Sequence, residues 1–461
     1  MKPVAEIIAD LNGRRVLVVG LARSGFSAAM LLSRQGASVI GVDVRPELVR
    51  AHELRDMGVE LRLGSSGADI PHDLDLVVLS PGVALSSQIP SMAIDKGMAV
   101  VGELELAWRL AKVPTLAVTG TNGKSTTTTL CAHLLKSAGK RVFIGGNIGK
   151  PLSDIINDQQ PGQPNFDWAV VEVSSFQLEH LSGKDGFVPQ IAVWLNLTPD
   201  HLDRHGSMSG YQSIKSRMFE GMDQSDTGVF FADDAMVRDA SEELSCSKRF
   251  FGRDESRLSL ADALVLDDGI RMDGHDIKIQ NPRLRGEHNA ENTAAALLAV
   301  KAAGVSVSDV SNAIATFTGL AHRLEPIRKL DGVLWVNDSK GTNPDATAKS
   351  LTGFDEGVVL IAGGRGKGTG FGMLRDIVKK KVSHLVLLGE QAERLREDLD
   401  GCAQVHMVQD MSEAVELSRR LAKPGSVVLL SPACASFDMF RDYEHRGEVF
   451  ASVVNSLENK S

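Results

Sequence analysis

Residues Thr119-Gly-Thr-Asn-Gly-Lys-Ser-Thr126 set a lysine and two hydroxyls directly behind a glycine turn. Backbone N–H groups at a helix start can face an anion, and the helix dipole favours negative charge there. Lys124 can then reach terminal phosphates, and the Ser125 or Thr126 hydroxyl can sit on a magnesium ion. Val118 stands where a strict phosphate-loop pattern has its first glycine, so the competing reading is an ordinary strand–turn–helix corner. Glu172 is a carboxylate inside the apolar run Trp168-Ala-Val-Val-Glu-Val173. A buried acid needs a partner, and either magnesium at the glycine turn or a structural salt bridge would serve. His201, flanked by Asp200 and Asp203, suits a metal; alone it would be a structural histidine. Lys215 reads, by spacing alone, as a surface cation. Asn289 and Asn292, with His288 at a helix start, suit a base or ribose, or act as caps. In the last third, Lys340, Thr342, Lys367 and Ser436 stand in loops after strands, a set suited to a carboxylate.

These residues need rigid supports. Residues 115–118 read as a buried strand, and a helix opens at Lys124 with Leu130, Leu134 and Leu135 on one face. Residues 15–43 read as one βαβ unit: strand 16–19, turn 20–25, helix 26–34 and strand 38–42 ending in Asp43. This is close to a dinucleotide fingerprint, but Ala22 replaces the middle glycine and its Cβ hinders pyrophosphate. A mononucleotide or UDP-type site is therefore favoured over NAD. Strand 76–79 ends in Ser80-Pro-Gly82. Strands are also expected at 168–173 and 191–197, and an amphipathic helix at 211–219. Residues 223–279 look irregular and strand-like, and an alanine-rich helix should run from Gly286 to Ala303. Strands 333–336, 358–361, 384–388 and 426–430 alternate with helices, the rhythm of a parallel sheet covered on both faces. The class is α/β, with domains expected at 1–112, 113–319 and 320–461.

A chain of 461 residues exceeds one core, and its 43% hydrophobic and 24% charged content is that of a globular protein. A net charge of −9 argues against a nucleic-acid or anionic-membrane surface, so anionic ligands need local basic residues. No apolar run approaches a membrane span, so membrane insertion is not expected. Cys131, Cys246, Cys402 and Cys434 are scattered, which suits reduced thiols and a cytoplasmic setting.

Residues 119–126, 145–149, 172–179, 196–204, 286–292, 322–325, 337–343 and 431–440 together resemble the Mur ligases, over nearly the whole chain. Ser174-Ser-Phe-Gln-Leu-Glu179, Ser80-Pro-Gly82 and Ser431-Pro-Ala-Cys-Ala-Ser436 are similar to members that add D-glutamate. The resemblance implies a Rossmann-like UDP-binding domain, a central P-loop ATPase domain with a mainly parallel sheet, and a C-terminal Rossmann-like amino-acid-binding domain. It implies ATP-dependent joining of D-glutamate to UDP-N-acetylmuramoyl-L-alanine through an acyl phosphate, in cytoplasmic peptidoglycan precursor synthesis, by a monomer. By the same resemblance Gly120, Thr121, Asn122, Gly123, Lys124, Ser125, Thr126, Asn289, Asn292, Arg323, Asp338 and Lys340 contact ATP. Ser125 and Glu172 hold one Mg2+, and His201 with carbamylated Lys215 a second. Arg23, Ser24, Val44, Arg45, Ser80, Gly82 and Asn147 take the UDP substrate. Thr342, Lys367, Ser436 and Tyr443 take D-glutamate. Arg23, Val44 and Tyr443 differ from the leucine, threonine and phenylalanine of the family pattern.

Overall fold

Short runs of Val, Ile and Leu between glycine turns bury both faces of a strand, and such strands pair in parallel beneath covering helices. The computed structural model describes residues 3–64, 71, 73–159, 165–259, 262–366 and 370–458. Three mainly parallel α/β sheets follow one another along the chain. The chain divides into two compact units, Met1–Leu264 with Met272–Gly274 and Ala294–Ser311, and Val265–Arg271 with His275–Thr293 and Asn312–Ser461.

In the first unit, β1 (Arg15–Val19), β2 (Ser38–Asp43), β3 (Glu60–Leu63), β4 (Leu76–Leu79) and β5 (Val100–Gly102) form a parallel sheet in the order β3-β2-β1-β4-β5. Strand order reverses between β1 and β4, so the loops leaving those two strands face each other across the carboxyl edge, where such sheets bind ligands. The next sheet uses β6 (Thr115–Thr119), β7 (Val142–Gly146), β8 (Trp168–Glu172), β9 (Ile191–Trp194), β10 (Thr227–Phe231), β11 (Ser247–Gly252) and β12 (Ala263–Val265). Its parallel part runs β12-β11-β10-β9-β6-β8-β7. The β6 strand lies between β8 and β9, with Val118 opposite Glu172 and Thr119 opposite Trp194. The glycine turn after β6 thus emerges between the loops that carry the other candidate groups. Helix Glu103–Ala111 lies at the seam of the two cores: Leu106 packs in the first, and Leu104 and Ala107 in the second.

Two short strands, β13 (Gly269–Met272) and β14 (His275–Lys278), precede the long helix Glu287–Ala302 in the sequence. The last sheet comprises β15 (Glu325–Leu330), β16 (Val333–Asn337), β17 (Val358–Gly363), β18 (Val382–Leu388), β19 (Gln404–Met407) and β20 (Val427–Leu430). Their order is β15-β16-β20-β17-β18-β19.

Three expectations change. Residues 223–279 hold the strands β10 to β14, as a strand-like stretch should, but they are not irregular throughout: β10, helix Ala235–Glu242 and β11 form a parallel βαβ unit. Its helix is polar over much of its length, with only Val237 and Ser241 buried, so apolar spacing gave little warning. The last sheet is not wholly parallel, because β15 pairs antiparallel with β16 across the tight turn at Asp331 and Gly332, both at positive φ. The strand read as 191–197 ends at Trp194; beyond it, Leu195 N and Asn196 O bond to Thr119 and Thr121 and follow the glycine turn instead.

Candidate active site

The glycine turn forms between β6 and the following helix. Gly120 and Gly123 have φ of 145° and 87°, conformations natural to glycine. At Gly120 a Cβ would also stand 3.0 Å from Leu195 Cβ. Helix Lys124–Ser137 opens directly behind, burying Ser125 and Thr126. Lys124 Nζ donates to the carbonyls of Gly120 and Thr121 at 2.9 and 2.8 Å, folding back over the turn. Asn196 braces the loop: its Oδ1 accepts from Asn122 N at 2.9 Å and its Nδ2 donates to Asn122 O at 3.1 Å. Thr121 Oγ1 donates to Thr198 O at 3.1 Å and accepts from Thr198 N at 3.0 Å. Asn196 carried no role in the sequence reading, although it ends an apolar run where a side chain must turn toward a loop.

Glu172 ends β8, 1% exposed, and its Oε1 accepts from Asn147 Nδ2 at 2.8 Å. Asn147 N also donates to Glu172 O at 2.9 Å, so these two candidates are brought together. His201 has φ 53°, a strained conformation for a non-glycine residue, and its ring packs 4.9 Å from Phe176. Its amide donates to Asp200 Oδ1 at 3.0 Å. Lys215 overturns the surface-cation reading: it is 1% exposed on helix Met208–Ser216, donating to Gly120 O at 3.0 Å. Helical spacing shows which face a residue is on, not what covers that face. Burial first, then the neighbouring Lys124 charge, push the Lys215 pKa far down. The Lys215 Nζ lies 4.6 Å over the Tyr211 ring, a neighbour that sequence reasoning missed.

Magnesium favours oxygen ligands and is held by one or two carboxylates, with substrate phosphates and water completing the shell. Ser125, Glu172 and a carboxylated Lys215 fit that chemistry; the His201 side chain is 34% exposed and lies against Phe176 and Asp200. Among the described residues no three His, Cys, Asp or Glu side chains gather as a metal site.

The loops after β1 and β4 meet closely. A Cβ at Gly20 would stand 2.9 Å from Val83 Cγ2 and 3.1 Å from Ser80 Cβ. Ser80 is buried, whereas a Cβ at Gly82 would meet nothing within 4 Å. The helix after β1 begins at Arg23, earlier than expected, with Ser24 in its first turn. The Asp43 carboxylate accepts from Leu21 N at 2.6 Å and from Arg45 N, Nε and Nη2 at 2.8–2.9 Å. Burial would raise its pKa, but the Arg45 and Leu21 hydrogen bonds prevail and lower it to about 2. Val44 beside it is 76% exposed, open to a ligand. Arg23 and Arg45 line a cleft of about 440 Å³ with Arg34, Arg50 and Lys150, cations that sequence reasoning did not single out. Asp154 and Asp158 line the same cleft, and Lys150 pairs with Asp158, Arg45 with Asp43 and Arg50 with Glu53, so the charges there are mixed.

In the second unit, the loops after β16 and β20 are laced together. Asp338 Oδ2 accepts from Ser350 Oγ and Ser431 Oγ, both at 2.7 Å, and burial raises its pKa. Ala433 N donates to Gly341 O at 2.9 Å. Arg446, unforeseen from sequence, is buried and donates to Ser339 Oγ, Ser339 O and Cys434 O at 2.8–3.1 Å. Arg323 sits between His322 and Leu324, whose φ values of 62° and 42° hold the backbone in a strained bend. The Lys340 Nζ lies 5.3 Å over the Tyr443 ring, and Tyr443 O accepts from Ser339 Oγ at 2.8 Å. Thr342 lies in the same loop, its N donating to Lys340 O at 2.9 Å, and Ser436 is buried after β20. Asn289 and Asn292 are buried neighbours, Nδ2 of Asn292 donating to Asn289 Oδ1 at 3.2 Å. Asn289 Nδ2 donates to Arg285 O at 2.8 Å, so it does not act as an N-terminal cap. Lys367 lies outside the described residues.

Comparison with known proteins covers all three sheets. Residues 14–102 match the Mur ligase MurD-like N-terminal domain, 118–300 the Mur ligase middle domain and 322–434 the Mur ligase glutamate ligase domain. A protein of Pelotomaculum thermopropionicum named UDP-N-acetylmuramoylalanine–D-glutamate ligase is 41% identical, over 98% of this chain and 99% of its own. One of the same name from Myxococcus xanthus is 42% identical, over 97% and 99%. Among solved structures, the MurF of Acinetobacter baumannii shares the fold at TM-score 0.62 and 17% identity, over 98% of each chain. The UDP-N-acetylmuramate–alanine ligase of Thermotoga maritima does so at 0.61 and 20%, over 96% of this chain and 99% of its own.

Proposed function

The chain belongs to the Mur ligase family, and on that premise we propose that it joins the amine of D-glutamate to the L-alanyl carboxylate of UDP-N-acetylmuramoyl-L-alanine. ATP is cleaved to ADP and phosphate, and the product is a precursor of peptidoglycan made in the cytoplasm. The observation that carries the phosphoryl-transfer step is Lys215, buried against the carbonyl of the phosphate-turn glycine, where burial and the Lys124 charge disfavour the ammonium form.

A carboxylate resists attack by an amine, so the reaction needs an acyl phosphate, which the amine then displaces. Phosphoryl transfer is chiefly positioning and charge neutralisation. The turn amides and Lys124 hold the phosphates, with Thr121, Asn122, Ser125 and Thr126 beside them. Magnesium, when bound by Ser125, Glu172, His201 and carboxylated Lys215, would neutralise charge on the transferred group. In its neutral form the Lys215 amine can add carbon dioxide, losing a proton and becoming the carbamate anion. Asn147, joined to Glu172, reaches toward the acceptor carboxylate. The loops of Arg23, Ser24, Val44, Arg45, Ser80 and Gly82 take the uridine diphosphate end, within reach of the cleft that Arg23 and Arg45 line. Asn289, Asn292, Arg323, Asp338 and Lys340 serve the nucleotide, and Thr342, Lys367, Ser436 and Tyr443 the D-glutamate carboxylates. The working molecule is a monomer with domains at 1–112, 113–319 and 320–461.

Phosphate release tests the reading. It should require ATP, the UDP-linked acceptor and D-glutamate together, and stay at background with meso-diaminopimelate. Equal turnover with another amino acid would reject D-glutamate as the substrate.

A further inference from the structure

Glu179 and Arg204 have no part in the site described above, yet their side chains meet in a forked ion pair. Arg204 Nε lies 3.1 and 3.0 Å from the two Glu179 oxygens, and Nη2 donates to Oε2 at 2.6 Å. Their side chains are only 22% and 11% exposed, so the pair is shielded from the screening that weakens surface pairs. It continues in two directions. Toward the first sheet, Arg204 Nη2 donates to Val83 O at 3.4 Å, a carbonyl that also meets His180 Nε2 at 2.9 Å. Val83 directly follows Ser80-Pro-Gly82, and its own amide donates back to Ser80 O at 2.9 Å, closing that turn. Toward the cation-site candidates, Glu179 Oε1 is 3.3 Å from His205 Nδ1, and the His205 ring stacks on Tyr211 at 5.1 Å. The Tyr211 ring in turn underlies Lys215. The Arg204 guanidinium rests over Phe176 at 5.1 Å, and Phe176 packs on His201.

We infer that Glu179 and Arg204 are positioning residues that hold the 80–83 loop in register with His201 and Lys215. A guanidinium fork fixes two acceptors in one plane, which an ammonium does not. The consequence is specific to one substrate. The acceptor is gripped at 80–82 while its carboxylate meets the phosphate-transfer centre, so a loop out of register must give up part of its hold on that substrate, a loss that appears in the acceptor's binding. This inference rests on the proposed reading of 80–82 as the acceptor loop.

Full-length Glu179→Gln and Arg204→Lys test it, by kinetics varied in each substrate and by amide hydrogen exchange without ligands. Both variants should raise the acceptor KM about tenfold or more while ATP and D-glutamate KM values stay within about twofold. Exchange should accelerate together in residues 80–84 and 198–205. An unchanged acceptor KM, an equal loss for all three substrates, or faster exchange confined to 175–179 would overturn the inference. If Glu179→Gln fails to fold, Arg204→Lys keeps the charge, removes the fork and carries the same expectations. A wild-type protein without acceptor-dependent phosphate release would overturn the functional reading instead; the exchange result still decides whether the two loops are tied.

Discussion

At Lys215 the helix Met208–Ser216 delivers an amine to the underside of the phosphate turn, where water is excluded and Lys124 is a neighbour. Both conditions favour the neutral amine, the form that can take up carbon dioxide. Lys215→Ala should therefore lose turnover, and added short carboxylates should restore part of it by standing in for the carbamate. A variant that no carboxylate rescues would count against the anionic lysine. Lys124→Ala should lower kcat by about a hundredfold or more, measured as phosphate release, because a preorganised charge at the transferred group is removed. These two lysines were not equally legible. Phosphate binding fixes the spacing of glycine, lysine and hydroxyl so tightly that Lys124 could be read from eight letters. The surroundings of Lys215 come from strands and loops far away in sequence, and helical spacing is silent about them. The two tyrosines of the chain show the same limit: each ring lies under a candidate lysine, Tyr211 under Lys215 and Tyr443 under Lys340, a pairing only the fold creates.

The turn after β1 shows how an element is held for its task. Asp43, at the end of β2, accepts the Leu21 amide and clasps Arg45, fixing the turn that leads into the helix start at Arg23 and Ser24. Its carboxyl has a folded pKa of about 2 against an ordinary 3.8, so the stabilisation is present above pH 3.8 and fades as pH falls toward 2. Arg45 is half exposed, which keeps the effect to on the order of 1–2 kcal/mol. Asp43→Asn should lower stability by that much in urea melts at pH 7, and the gap to wild type should close between pH 4 and about pH 2. Gly25→Ala is the harsher change, since a Cβ there would overlap the Gly20 carbonyl oxygen. A loss of more than about 2 kcal/mol is expected in the same melts, from forced backbone displacement. Ten of the twenty strands among the described residues, all inside their sheets, were legible because an apolar run between turn residues has few alternatives. The edge strand β19 and the helix Ala235–Glu242 were not, because an exposed face weakens the apolar signal.

For the molecule as a whole, the three-domain reading meets one physical complication at helix Glu103–Ala111. One face of that helix completes the first core through Leu106 and Leu110, while Leu104, Ala107 and Trp108 belong to the second, with Trp108 against Phe187 at 5.7 Å. A cut at 112 therefore separates chains that share a core element. The two cores of the last sheet draw all their members from between Leu324 and Leu457. Residues 320–461 expressed alone should melt cooperatively, whereas 113–319 should bind an apolar dye and aggregate until residues 103–112 are restored. Cooperative melting of 113–319 without dye binding would show the shared helix to be dispensable. The order of synthesis gives the shared helix a further meaning. Cys246, a member of the same core as Trp108, leaves the ribosome on the order of ten seconds later. Throughout that interval the nascent chain carries a finished first sheet with one greasy flank uncovered, a window in which chaperones and neighbouring nascent chains compete with the enzyme's own unfinished half.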